Sequence, residues 1–105
     1  MATNKKNRAK GYDAVIVFDS AGVLDMVVPE EFYLDKDEPV RWLITPQGNQ
    51  ATVDFGNDTP LTWSDKSDAK EIQGQTKKSM KGGCYKYSVT AGNVIIDPHI
   101  RIGKH

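Results

Sequence analysis

Apolar residues in this chain recur at a period of two, in short runs separated by turn formers, and that pattern predicts strands. The run Ala14–Phe18 in "DAVIVFDS", bounded by Asp13 and Asp19, predicts a strand covered at least partly on both faces. "AGV" punctuates it, and Pro29 and Pro39 break any long helix in the stretch that follows. Phe32 and Leu34 alternate with Glu31, Tyr33 and Asp35, as in an edge strand. After the turn "DKDEP", Val40, Trp42 and Ile44 alternate with Arg41 and Leu43, the period of a half-buried strand. "TPQGNQ" reads as a loop, "ATVDF" as a brief strand and "GNDTP" as another turn. Residues 61–83 are the least periodic, and a strand is expected only around Ala69–Ile72.

The final segment carries the clearest alternation. Tyr85, Tyr87 and Val89 alternate with Cys84, Lys86 and Ser88; beyond "AGN", Val94, Ile96, Pro98, Ile100 and Ile102 alternate with Ile95, Asp97, His99 and Arg101. The apolar sets must share one inward face, which fixes the parity of the hairpin. A tight turn at Ala91–Gly92 sets Tyr87 opposite Ile96, Lys86 opposite Asp97 and Cys84 opposite His99. Cys84, Lys86, Asp97 and His99 then lie outside. Many short strands with turns between them, and no capped amphipathic helix, predict an all-β sandwich or barrel of about seven or eight strands.

Length and charge narrow the picture. The chain of 105 residues is expected to form one domain over residues 12–103, preceded by a disordered basic tail, residues 1–11, with Lys5, Lys6, Arg8 and Lys10. Fourteen basic and fourteen acidic side chains cancel, which argues against a nucleic-acid partner. The acidic stretch Glu30, Glu31, Asp35, Asp37 and Glu38 lacks calcium-loop spacing and reads as a solvated face. Lys77, Lys78 and Lys81 form a small basic patch. One cysteine excludes an internal disulfide framework. No apolar run has the length of a membrane span or a secretory core, so no membrane partner is expected. As written the chain reads as cytoplasmic, or as periplasmic or secreted if a leader was removed.

No catalytic constellation is visible. Ser79 and Ser88 lack an activating histidine, Asp54 lacks a partner that would make it a general base, and no phosphate loop or nucleophile elbow occurs. Trp42 reads as core, and Trp63, in "PLTWSDK", as the better candidate for an exposed contact. Cys84 and both histidines, with Met80 just upstream, are the residue types of a blue-copper site.

"VRW" at 40–42, "GCYKYSV" at 83–89 and the isoleucine-rich closing strand resemble the cupredoxin family. The resemblance implies a Greek-key β-sandwich. Copper-binding members hold one copper through two histidines, a cysteine and usually a methionine, and here those positions are empty. Val89 stands at the cysteine position, "TAGNVIID" follows without histidine or methionine, and Asn49 or Gln50 takes the place of the first histidine. Cys84 precedes the tyrosines and points to the opposite face. A separate adventitious site at Cys84 and His99 has two ligands, short of the three or four that zinc takes, unless His105 or a second chain contributes.

The expected function is therefore a non-catalytic, metal-free, cupredoxin-like binding or structural module without cofactor. Its recognition residues are expected in loops 45–50 and 56–68, at the end where the family keeps its metal: Gln47, Asn49, Gln50, Asn57 and Trp63. The partner would be a protein, peptide or small molecule, and the oligomeric state is open. The alternative is a copper-binding electron-transfer protein with a displaced site at Cys84, His99 and Met80.

Overall fold

Period-two alternation sends every second side chain to one face of an extended chain, and a chain built this way buries its apolar set only by stacking sheets. The computed structural model describes residues 11–48 and 50–103; residues 1–10 of the expected tail, Asn49 and His105 lie outside the described residues. It contains twelve short strands: β1 (Ala14–Phe18), β2 (Leu24–Val28), β3 (Glu31–Leu34), β4 (Pro39–Ile44), β5 (Ala51–Asp54), β6 (Leu61–Asp65), β7 (Ser67–Asp68), β8 (Glu71–Thr76), β9 (Gly83–Lys86), β10 (Ser88–Ala91), β11 (Val94–Ile96) and β12 (His99–Ile102). One 3-10 turn spans Gly56–Asp58. The described residues include no α-helix, and no helix is long and apolar enough to cross a membrane.

The strands form a five-stranded sheet ordered β2-β1-β4-β8-β6, a four-stranded sheet β11-β10-β5-β7 and a three-stranded sheet β3-β12-β9. Most neighbours are antiparallel, but β1 runs parallel to β4 and β3 parallel to β12. The chain passes from one sheet to another at four bends: after the cis Val28–Pro29 peptide, at Lys66, at Tyr87, and at Asp97–Pro98. These bends account for the excess over the expected seven or eight strands. Joined across them, the twelve segments make eight long strands.

The last hairpin has the expected parity but a different register. Val89, and not Tyr87, faces Ile96; Lys86 faces His99; Cys84 faces Arg101. The pairing is displaced by two residues because the tight turn is formed by Gly92 and Asn93, with Ala91 and Val94 as the closing pair. Gly92 supplies the left-handed backbone, φ +61°, that a two-residue hairpin turn requires. A slip of two leaves every side chain on its predicted face, so alternation alone cannot detect it. The Tyr87 N–H donates to the Pro98 carbonyl at 3.0 Å and carries the ladder across the bend.

Three other expectations are corrected. The strand placed near Ala69–Ile72 is β8, starting at Glu71, and Ala69 and Lys70 precede it as a bend. Trp63 belongs to β6 and is half-buried, packed against the core, because Gly74 lies opposite and leaves room for the ring. A Cβ at Gly74 would lie 3.2 Å from Trp63 Cε3. Glu38 is not solvated. It is 6% exposed, and its Oε1 accepts the Asp35 N–H at 2.6 Å, while Thr76 Oγ1 accepts the Glu38 N–H at 2.7 Å. The Asp35 N–H offsets part of the desolvation of the carboxylate, and Thr76 satisfies the backbone N–H of Glu38.

The core is centred on Trp42, which is fully buried as its alternation predicts. Its ring meets Phe32, Trp63 and Tyr87 at centroid distances of 6.0, 6.0 and 5.4 Å, and Phe55 stacks on Tyr87 at 5.0 Å. Each such pair adds about 0.5–1.5 kcal/mol beyond area burial. The Trp42 indole N–H donates to the Tyr87 hydroxyl at 3.0 Å, which satisfies both polar ends of two buried rings across the sandwich. Burial holds the Tyr87 phenol far above its ordinary pKa, against a smaller opposing effect of the Trp42 hydrogen bond. Stability linked to it is therefore complete below the unfolded value of 10.0 and is lost as pH rises towards the folded one. Tyr87→Phe leaves the indole donor unpaired in the core. We expect a loss of about 1–3 kcal/mol in urea unfolding, without a change of slope.

Candidate functional site

The outer face of the three-stranded sheet carries two of the suspected metal ligands, Cys84 and His99. Pairing places Glu31, His99 and Lys86 in one row and Tyr33, Arg101 and Cys84 in the next. Cys84 and His99 are diagonal neighbours on one face, not the directly opposed pair expected. Glu31 Oε2 accepts from Arg101 Nε and lies 3.4 Å from His99 Nε2. That imidazole nitrogen is thus directed to β3, on the side of β12 away from Cys84. The Arg101 hydrogen bond, with lesser help from the Arg101 and His99 charges, holds the Glu31 carboxyl below its ordinary 4.5. Met80 is partly buried and packed on the core. Among the described residues, no three His, Cys, Asp or Glu side chains are grouped to hold a metal ion.

A second polar cluster lies on the outer face of the five-stranded sheet. The Tyr12 hydroxyl donates to Glu71 Oε1 at 2.8 Å, Arg41 Nη2 donates to both carboxylate oxygens at 3.1 Å, and Gln73 Nε2 donates to Oε2. The Arg41 guanidinium also sits 4.7 Å above the Tyr12 ring. Tyr12, then Arg41 and Gln73, hold the Glu71 carboxyl below its ordinary value. A carboxylate held ionised by so many donors is a poor general base. The cluster fastens the segment before β1 to β4 and β8.

The expected recognition loops occupy opposite ends of β5. Residues 45–50 precede it; of the expected loop 56–68 only the part up to Pro60 is loop, since Leu61–Asp65 and Ser67–Asp68 form β6 and β7, and Gln47 and Gln50 are separated from Asn57 by the length of β5. The first loop closes its end of the sandwich. Its Thr45 N–H donates to Ile16 O, Gly48 N–H to Thr45 O, and Gln50 Nε2 to Ser67 Oγ. Gly48 presses so closely on the core that a Cβ there would lie 2.6 Å from both Ile44 Cγ2 and Phe18 Cδ1. Val89 is fully buried between Val53 and Ile96.

The other end is open. Asn57, Thr59 and Pro60 meet Lys77, Ser79, Met80, Lys81 and Tyr85 around a depression of about 400 Å³. Its walls are tied together: the Lys77 N–H donates to Pro60 O at 2.9 Å, and the Tyr85 hydroxyl donates to Lys81 O at 2.6 Å. The left-handed Gly83, φ +143°, lets the chain turn from Lys81 into β9. Pro60, Met80 and Tyr85 supply apolar surface, and the two lysines, Ser79 and Asn57 supply donors. No ion pair with Lys77 or Lys81 forms among the described residues.

A second depression of similar volume adjoins it, lined by Asp54, Phe55, Gly56, Lys86, Tyr87, Ser88 and Asp97. Its carboxylates have internal partners: Asp54 Oδ1 accepts the Gly56 N–H at 2.9 Å, and Asp97 Oδ1 accepts from Ser88 Oγ at 3.1 Å. Of the expected recognition residues that are described, only Asn57 lines either depression. The other lining residues were missed as a group, because they come from three segments without a common period. Only the lysine patch signalled them. No protein-family model matches the chain, and no curated protein or solved structure matches it closely enough to carry an argument.

Two outcomes follow. Because the folded pKa of Glu31 is depressed, its stabilising contribution is present above about 4.5 and is lost as pH falls through the folded value. Arg101→Gln should move the Glu31 titration, read by carboxyl NMR, back towards 4.5. Zinc or copper(II) titrated onto the purified chain should bind weakly and without intense blue colour, and Cys84→Ser should leave the isotherm unchanged.

Proposed function

We propose that the chain is a cupredoxin-like Greek-key sandwich acting as a metal-free, non-catalytic binding module, with its site in the depression between residues 57–60, 77–81 and Tyr85. The parallel pairing of β1 with β4 and of β3 with β12 supports the Greek-key reading, since both need connections that cross between sheets. So does the long strand β2–β3, which begins in one sheet and ends in another.

One observation carries the functional reading. The depression combines apolar floor, polar donors and cross-tied walls, whereas the polar clusters on the two sheet faces are consumed by their own ion pairs. A preformed concavity of this size is in the range of small-molecule sites. Among the described residues its lining offers hydrogen-bond donors and apolar surface, the groups that hold a ligand.

Amide NMR on the full chain tests this with a fragment mixture spanning anionic, neutral polar and apolar compounds. We expect saturable shifts centred on Asn57, Thr59, Ser79, Lys81 and Tyr85. Saturable binding confined to loop 45–50 or to the Cys84–His99 face, or chemical conversion of a fragment, would overturn the proposal.

A further inference from the structure

We infer that this site takes a doubly charged oxyanion carrying a compact apolar group, chemically a phosphate monoester. The inference rests on the binding reading above and adds the class of ligand. Lys77 and Lys81 stand on the two sides of Ser79 and line the same depression, and no carboxylate accompanies them among its described lining residues. Two ammonium groups facing one cavity repel each other, and an anion between them relieves that repulsion while accepting from both. A monocarboxylate matches only one of the two positive charges; a phosphate monoester near neutral pH carries ≈ −1.5 to −2. It also offers three acceptor oxygens, which the ammonium groups, the Ser79 hydroxyl and the Asn57 amide can fill as donors.

The remaining surface selects what is attached to the phosphate. Pro60, Met80 and Tyr85 form the apolar part of the lining, and the methionine thioether adapts to a flat or branched group. The Tyr85 hydroxyl is already engaged with Lys81 O, so the ring presents carbon to the cavity and the loop that carries Lys81 is held in place. Lys77 is likewise fixed through its backbone to Pro60. Ordering these segments in advance reduces what binding must spend on them. The neighbouring depression makes the contrast: Lys86 there shares its cavity with Asp54 and Asp97. Lys78 provides an internal control, being exposed, equal in charge and adjacent in sequence, but absent from the lining.

Phenyl phosphate, inorganic phosphate, benzoate and phenol are titrated onto the full chain at fixed pH and low salt, followed by amide NMR. Phenyl phosphate should shift residues 57–60, 77–81 and 85 saturably, and bind about tenfold or more tightly than each of the other three. Lys77→Ala and Lys81→Ala should each weaken it about fivefold or more, added salt should weaken it further, and Lys78→Ala should leave it within about twofold. Amide spectra of the variants away from the site report that each remains folded. If benzoate or phenol matches phenyl phosphate, the oxyanion assignment fails while the binding module stands. Equal binding of inorganic phosphate removes the apolar group from the assignment. Equal weakening by Lys78→Ala reduces the effect to surface charge and overturns the site. Absence of saturable shifts there with all four probes overturns the inference, and the fragment mixture then decides whether the module reading falls with it.

Discussion

The hydrogen bond between the Trp42 indole and the Tyr87 hydroxyl is the constraint on which the rest of the fold depends. Trp42 lies in the middle of β4, within the five-stranded sheet, and Tyr87 lies where β9 bends into β10 and the opposing layer divides into two sheets. A tyrosine buried at such a bend must place its hydroxyl on a donor or lose the free energy of an unpaired polar group. Trp42 supplies the donor and receives its own partner. The two rings therefore fix the separation of the layers and the position of the bend together, and Phe55, Trp63 and Phe32 pack around that fixed pair.

The bend has consequences at both of its sides. Because the hairpin β9/β10–β11/β12 keeps a single register across Tyr87 and Pro98, its outer face continues from one sheet to the next. Charged residues on it meet in rows, and Glu31 pairs there with Arg101 beside the His99 ring. The residues that resemble metal ligands in sequence are drawn into that lattice. On the other edge of β9, the chain leaving β5 does not pair but turns away through Gly56–Asp58, and the open depression lies along that departure.

Much of this architecture is legible in the sequence where side-chain type reports burial directly. The strand at Val40–Ile44 and the faces of Tyr87, Val89 and Ile100 follow from period two, since these strands expose one face only. Register does not follow, because a shift by two preserves every face; what decides it is which two residues can form the turn. β6 and β8 are obscured for another reason. Their outward residues are polar, and the inward position Gly74 is apolar only through the ring of Trp63 laid across it. Glu38 misleads for the converse reason, as a charged residue that is buried with its carboxylate on the Asp35 N–H and its own N–H on Thr76, distant in sequence.

The two ends of β5 show why a site is harder to read than a strand. Both loops are rich in turn formers and polar side chains, and in sequence they look equally suited to recognition. Gly48 makes the difference at one end, because the absent Cβ lets the loop settle onto Phe18 and Ile44 and spend its backbone groups on closing that end of the core. At the other end, the Lys77 N–H bonded to Pro60 O and the Tyr85 hydroxyl bonded to Lys81 O tie the walls to one another around the depression. A loop that satisfies itself closes a surface, and loops that satisfy one another across a gap leave a cavity between them. The lysines on that gap have no such satisfaction among the described residues, so their charge is directed at whatever enters it.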